Sequence, residues 1–354
     1  MVGISDKIIG SLCLGVIGDC LGIPFEFYRA YVKIDGKKIY TRDLKLDGEI
    51  LMERVYMVFG GKGYSKECTL YPYLGSDDTQ MTLLLLTSIL DNGLTFNRDD
   101  VLKRYMGWAN TKGVMMGNNT KALFQGVRQI TGYDNRMKKI DDMDTRQSNG
   151  SLMRCMAMSL LKCKGDFKEY ETITLDTRLT NDNNVNVQCT YIYIKILRQE
   201  VFGGGEVKDI EKIFKDIDMR HEIRVYVDLA IRDIIVGIDD VVKINNKNNI
   251  SMNTKNHKGW VVYSLYIALI TYFYHSSTIA EAYSFIFENF SGGDMDTILL
   301  ITFVLVGANL GHEKMLRESI YRDNLQKILN VDNKPVDVPT LNIELIDRLR
   351  STFD

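Results

Sequence analysis

Residues 75–81 read GSDDTQM and run directly into the apolar segment TLLLLTSIL at 82–90. A small polar residue, two acids and a hydroxyl ahead of an apolar run mark the start of a buried helix. The pattern returns far along the chain. Residues 292–297 read GGDMDT and lead into ILLITFVLVGA at 298–308. A helix start leaves backbone N–H groups unpaired and carries partial positive charge, so carboxylates are stabilised there. Taken singly, each cluster reads as a cap, with Ser76 or Asp294 at the N-cap position and the next acids as first-turn charges. Taken together they hold more acid than capping requires. Four converging aspartates repel one another unless a cation lies between them. Hard divalent cations take oxygen ligands, so the second reading is a two-metal site, Mg²⁺ with Mn²⁺ as the alternative. Its ligands are Ser76, Asp77, Asp78, Asp294, Asp296 and Thr297. The chain is then a helical protein folded so that two acidic helix mouths face each other.

Four blocks, in order, carry a resemblance. They are GDCLGIPFE at 18–26, SDDTQM at 76–81, NGSLMR at 149–154, and GGDMDT at 292–297 with GANLG at 307–311. On these motifs the chain resembles the ADP-ribosylglycohydrolase family, which includes the dinitrogenase reductase-activating glycohydrolases. The likeness spans roughly residues 8–312. It implies an all-α fold, a compact single-domain orthogonal bundle of many helices around a central two-metal site. Residues 1–312 form that domain, and 313–354 a C-terminal appendage packed on it. The implied reaction is hydrolysis of the glycosidic bond at C1″ of ADP-ribose attached to a protein or a small molecule. Glu26, Asp77, Asp78 and Asp296 are its catalytic residues, with Glu26 a mobile acid over the metals. The implied substrate contacts are Gly117, Asn119 and Thr120 in GNNT, then Ser148, Asn149, Gly150 and Ser151 in SNGS, and Asn181, which can keep a hydrogen bond to the substrate. On chemistry alone, GNNT is either a plain loop or a set of phosphate donors, and SNGS either an N-cap or an anion site. One position departs from the family. Where T-H-[PN] is usual, the chain has LTNDN at 179–183, which puts Asn181 in place of a histidine. An amide donates and accepts but does not titrate near neutral pH.

Composition sets bounds. The chain has 354 residues, 45% hydrophobic and 25% charged, with a formal net charge of −2. That is the balance of a globular protein, long enough for one large core. No basic stripe implies nucleic acid as a partner. The apolar runs fall short of the roughly 20 residues of a membrane helix, and the N-terminus has no secretory pattern, so no membrane partner is expected and the expected location is cytoplasmic. Six cysteines lie without C-x-x-C spacing and only four histidines occur, so buried thiols rather than zinc are expected.

Along the chain, Ser5 caps a first helix to about Ile17. Gly18 and Gly22 bracket a sharp exit, and Pro24 delivers Glu26 on a loop; Asp19 is a structural acid beside the site. Residues 29–74 read as an irregular excursion or lid, with turns at Asp35-Gly36 and Asp47-Gly48 and one short strand at 55–59. Asn97 caps a helix, and a further helix follows SNGS over 152–161. Arg154 is an internal ion-pair partner. TYIYIKIL at 190–197 alternates like a strand, yet the helical surroundings and the family place it in a helix. An amphipathic helix is expected at 221–238, a polar loop at 243–258, a buried helix at 259–273, and Thr278 as the cap of 280–290. Two other functions fit the same residues: an ADP-ribose-binding protein without turnover, suggested by Asn181, and a metal-dependent nucleotide phosphohydrolase.

Overall fold

The computed structural model describes residues 2–26, 31–35, 37–41, 48–49, 55–59, 66–140, 147–163, 165–203, 259–290, 293–331 and 338–354. The expected helix at 221–238 and loop at 243–258 lie outside them. The described chain is dominated by helices: α1 (Ile4–Glu26), α2 (Asp77–Asp91), α3 (Arg98–Ala109), α4 (Asn118–Phe124), α5 (Ile130–Met137), α6 (Asp166–Thr177) and α7 (Asn184–Phe202). They continue as α8 (Val261–Tyr274), α9 (Ile279–Phe290), α10 (Met295–Leu310), α11 (His312–Met315), α12 (Ser319–Leu329) and α13 (Ile343–Phe353).

The core is built around α1 and α10. Both are apolar on every face, and both are buried along almost their whole length. Ile298, Leu299, Ile301, Phe303, Leu305 and Val306 have at most 1% of their surface exposed, and each such side chain contributes about 1.5–3 kcal/mol on burial. The two helices run antiparallel along a glycine seam. A Cβ on Gly10 would lie 2.6 Å from the carbonyl oxygen of Gly307, and one on Gly18 would lie 2.7 Å from that of Leu299. At Gly22 a Cβ would overlap the backbone of Asp296. Backbone-to-backbone packing at this distance admits no side chain. It brings the C-terminal end of α1 to the N-terminal end of α10.

Helix α1 runs through Gly18, Gly22 and Pro24 to Glu26, nine residues beyond the expected end. Pro24 removes one backbone hydrogen bond and strains the last turn by about 3 kcal/mol. Leu21 and Ile23, at 0% and 2% exposure, offset that on burial. At 23 residues α1 is the one described helix long and apolar enough to cross a membrane, although 94% of its apolar window is buried inside the molecule. A helix enclosed by protein on all sides is a core helix.

Residues 31–70 correct a second expectation. Instead of an excursion with one strand, the chain forms a four-stranded antiparallel sheet, β1 (Tyr31–Ile34), β2 (Lys37–Tyr40), β3 (Val55–Phe59) and β4 (Lys66–Leu70), in the order β2-β1-β3-β4. Asp35, in the left-handed region at φ 50°, makes the turn between β1 and β2. The sheet is inserted between the end of α1 and the start of α2.

The segment after SNGS is also not the expected α-helix. It forms 3₁₀ turns at Asn149–Ser151 and Cys155–Leu160. The Gly150 carbonyl, which an α-helix would offer to the Arg154 backbone N–H, instead accepts from the Arg154 guanidinium Nη1 at 2.6 Å. The same guanidinium, fully buried, lies 3.4 Å from Asp176, as the ion-pair expectation required.

The stretch 190–197 is helical, within α7. Asn183 caps it by accepting from the Asn186 N–H at 2.9 Å, and burial of Cys189, Ile192, Ile196 and Leu197 overrides the strand propensity. Asn97 caps α3 and Thr278 accepts from the Glu281 N–H, as read from the sequence. Cys13, Cys20, Cys155 and Cys189 are buried free thiols. Helix α13 lies against α1, with Ile346 and Leu349 buried in the common core.

Candidate active site

Three helix ends meet at one place. The first is the N-terminus of α2. Ser76 occupies its N-cap and accepts from the Asp78 N–H at 3.1 Å, so the capping reading holds for this residue. Asp19, from the middle of α1, adds a cap from outside. Its Oδ2 accepts from the N–H groups of Ser76 at 2.8 Å and Thr79 at 3.1 Å. With that support Asp77 and Asp78 are not needed to cap their own helix.

The second end is the N-terminus of α10. Asp294 stands at the N-cap position but makes no cap hydrogen bond. Its Oδ2 accepts instead from Asn149 Nδ2 at 2.9 Å, and Asn149 Nδ2 also reaches Ser264 Oγ at 3.1 Å. Thr297 Oγ1 donates to Asp78 Oδ2 at 2.5 Å, linking the two acidic mouths directly. The third end is the C-terminus of α1, where Glu26 is the last helical residue rather than part of a loop. One carboxylate oxygen each from Glu26, Asp294 and Asp296 lie within 4.8 Å of one another.

The electrostatics follow from crowding. Burial, then Asp296 and Asp294, push the Glu26 carboxyl well above its usual range. Burial and Asp296 do the same to Asp78, and burial and Asp294 to Asp296. Burial pushes Asp77 up to about 7, opposed by the Gly117 N–H that donates to its Oδ2 at 3.0 Å. Carboxyls that raise one another in this way are a field awaiting positive charge. The donor set is all oxygen, from carboxylates with Ser76 and Thr297 hydroxyls at the edge, and it fits hard divalent cations.

Of the remaining predicted residues, Gly117 and Asn149 bond to this ring directly. At the start of α4 Gly117 is exposed, Asn119 is half-buried and Thr120 is buried. Asn119 Nδ2 donates to Ser148 Oγ at 3.1 Å, joining GNNT to SNGS. Ser148 and Gly150 reach the surface in part; Asn149, at 5% exposure, and Ser151 and Asn181, both at 0%, are enclosed. Ser151 Oγ accepts from Asn186 Nδ2 at 2.9 Å.

Three contributors were not singled out from the sequence. Gly259, at φ +66°, passes so close to Asp294 that a Cβ would lie 2.9 Å from Oδ2, and its carbonyl accepts from the Asn149 N–H at 2.8 Å. Trp260 forms an antiparallel bridge with Ser148, and its indole N–H donates to Gln147 at 3.0 Å. Asn186 donates to the Ser148 carbonyl at 2.7 Å. The glycine before an apolar helix was a readable signal for the first. Asn186 carried none beyond being a polar residue on a buried helix.

Comparison with known proteins agrees with this architecture. Among solved structures, a chain of an "ADP-ribosylglycohydrolase-related protein complex" is similar over 91% of this chain and 97% of its own, at 19% identity and a TM-score of 0.57. At that identity the likeness is one of fold. No curated protein matches the chain. The family model described as ADP-ribosylglycohydrolase matches residues 2–349, nearly the whole sequence and well past residue 312. Matched by that model over nearly its whole length, the chain belongs to the ADP-ribosylglycohydrolase family.

Proposed function

We propose that the protein is a metal-dependent hydrolase that cleaves the glycosidic bond at C1″ of ADP-ribose attached to a protein or a small molecule. The observation that carries this reading is the meeting of Glu26, Asp294 and Asp296 within 4.8 Å, joined to Asp78 through Thr297. Ser76, Asp77, Asp78, Asp294, Asp296 and Thr297 would hold two divalent cations, Mg²⁺ or Mn²⁺. Bound there, such cations supply Lewis acidity and lower the pKa of a coordinated water.

The protein groups do the rest. Glu26, with its carboxyl raised by burial and by its neighbours, is suited to take a proton from water and return one to the leaving group near neutral pH. The aspartates surround a reacting centre that develops positive, oxocarbenium-like charge, which negative groups stabilise. Exposed Gly117 and the half-buried Asn119, Ser148 and Gly150 would orient the diphosphate, and bound orientation lowers the barrier. Thr120, Asn149, Ser151 and Asn181 would support them from beneath. Residues 1–312 would carry all of this chemistry, with 313–354 as a packed appendage. The buried free thiols Cys13, Cys20, Cys155 and Cys189 support a cytoplasmic, reducing setting.

The test is release of free ADP-ribose. Purified protein with Mg²⁺ or Mn²⁺ is expected to liberate ADP-ribose from arginine-linked, serine-linked or polymeric substrates, and Asp296→Asn is expected to stop it. Absence of product from all three with either metal would defeat the proposal. Tight binding without turnover would instead support the second reading, a binding protein, which the untitratable Asn181 favours. Release of inorganic phosphate from nucleotides would identify a phosphohydrolase.

A further inference from the structure

Ser148 stands between two loops that each touch the carboxylate ring. Asn149, next to it, bonds Asp294, and Asn119 lies two residues from Gly117, which bonds Asp77. Its hydroxyl is not used for capping. Instead Ser148 Oγ accepts twice, from Asn119 Nδ2 and from Asn181 Nδ2, both at 3.1 Å. A hydroxyl has two lone pairs and one hydrogen. With both acceptor directions taken, only the hydrogen is left to give, and among the described residues none accepts it.

The polarity behind this arrangement is fixed from the interior. Arg154 is a donor only and cannot be deprotonated. Its Nη1 donates to Thr180 Oγ1 at 2.7 Å. The Thr180 hydrogen is therefore turned away from Arg154 and donated to Asn181 Oδ1 at 2.8 Å. That contact settles which way the Asn181 amide points, because the flipped amide would set its oxygen 3.2 Å from the Ser148 carbonyl, where Nδ2 now donates. Asn186 Nδ2 donates to the same carbonyl at 2.7 Å and holds the turn in place.

We infer that Thr180 and Asn181 are positioning residues: they carry the polarity of buried Arg154 outward through one hydrogen-bond chain, so that Ser148 is presented to the ligand as a donor only, selecting an acceptor oxygen such as that of a diphosphate. The inference rests on the ADP-ribose reading and deepens it. Asn181 then acts without touching substrate, and its amide keeps the same direction at every pH at which the protein is folded.

The test is a double-mutant cycle on the full chain, read by calorimetric titration of ADP-ribose with Mg²⁺ present. Thr180→Val removes the relay's middle hydroxyl and frees the Asn181 amide to turn. It is expected to weaken binding about tenfold, the loss of one hydrogen bond to a charged group. Thr180→Ser is expected to restore affinity. On a Ser148→Ala background Thr180→Val is expected to cost nothing further, because the two act through one hydrogen. In turnover the loss is expected in KM, with kcat nearly unchanged. Should Thr180→Val fail to fold, Asn181→Asp makes the same test: its carboxylate accepts the Ser148 hydrogen and withdraws it from the ligand. Additive effects of Thr180→Val and Ser148→Ala, or full affinity in Asn181→Asp, would overturn the relay while leaving the function intact. Failure of the wild-type protein to bind ADP-ribose at all would overturn the function and the ligand assignment together.

Discussion

Raising the pH on the metal-free protein probes the carboxylate ring directly. Asp77 is pushed from 3.8 to about 7, mainly by burial. An aspartate in an unfolded chain titrates near 3.9. The folded state thus keeps this proton to higher pH than the unfolded state does. The stability contributed by the group is fully present below the unfolded value and is lost as pH rises through about 7. Each pH unit carries about 1.36 kcal/mol, so the roughly 1.5 units between pH 5.5 and 7 account for about 2 kcal/mol by pH 8. Asp78, Asp296 and Glu26 shift in the same direction, which makes about 2 kcal/mol a lower figure for the ring. For 354 residues, an unfolding entropy of about 2.1 cal/mol/K per residue converts it to ~3 °C in Tm.

The assay is thermal unfolding in EDTA at about pH 5.5 and pH 8, wild type against Asp77→Asn. Buried His312 is shifted down by desolvation and works in the opposite sense, so the wild-type-minus-variant difference is the quantity to read. The wild type should lose ~3 °C more than Asp77→Asn across that interval. Excess Mn²⁺ or Mg²⁺ should remove the difference and stabilise more at pH 8 than at pH 5.5. A variant that tracks the wild type at both pH values, or a metal effect independent of pH, would refute the reasoning.

Three further outcomes are expected. Asp294→Ala and Asp296→Ala should each abolish the calorimetric signal of Mn²⁺ binding while leaving the far-UV spectrum helical; retained binding would mean that the acids serve only their helix. Asp176→Asn leaves the wholly buried Arg154 without its counter-charge and should destabilise by about 3–5 kcal/mol, seen as a lowered denaturant midpoint; an unchanged midpoint would show that the backbone carbonyls hold Arg154 unaided. Gly22→Ala drives a methyl into the Asp296 backbone and should reduce both Tm and metal affinity, whereas Gly117→Ala, with open space around it, should change neither Tm nor helix content.

What could be read from the sequence was what is local. SDDT and DMDT each carry acids and an apolar run within a dozen residues, so the two helix starts and the concentration of carboxylates there were both visible. The run of α1 to Glu26 was hidden because glycine and proline are local breaking signals, while the force that overrides them is contact with α10, nearly three hundred residues away. The sheet was half visible. Asp35-Gly36 between short alternating runs is a strong hairpin signal, but four strands of four or five residues each look weak one at a time. The support beneath the site was least visible. Asn149, Asn181 and Asn186 bond to partners tens of residues or more away, Asp294 and the Ser148 carbonyl, so nothing local in the sequence marks those bonds.

The glycine seam between α1 and α10 separates two kinds of inheritance. The spacing of Glu26 from Asp294 and Asp296 is set by two helix backbones in contact, and those positions cannot change without moving both helices. Asn119 and Ser148 are tied to each other and to Asn181 by side-chain hydrogen bonds that other polar residues can replace one at a time. Descendants of this chain can therefore exchange the side chains around the acids while the distance between those acids stays fixed, as a vice keeps its jaw alignment whatever pads are fitted to it.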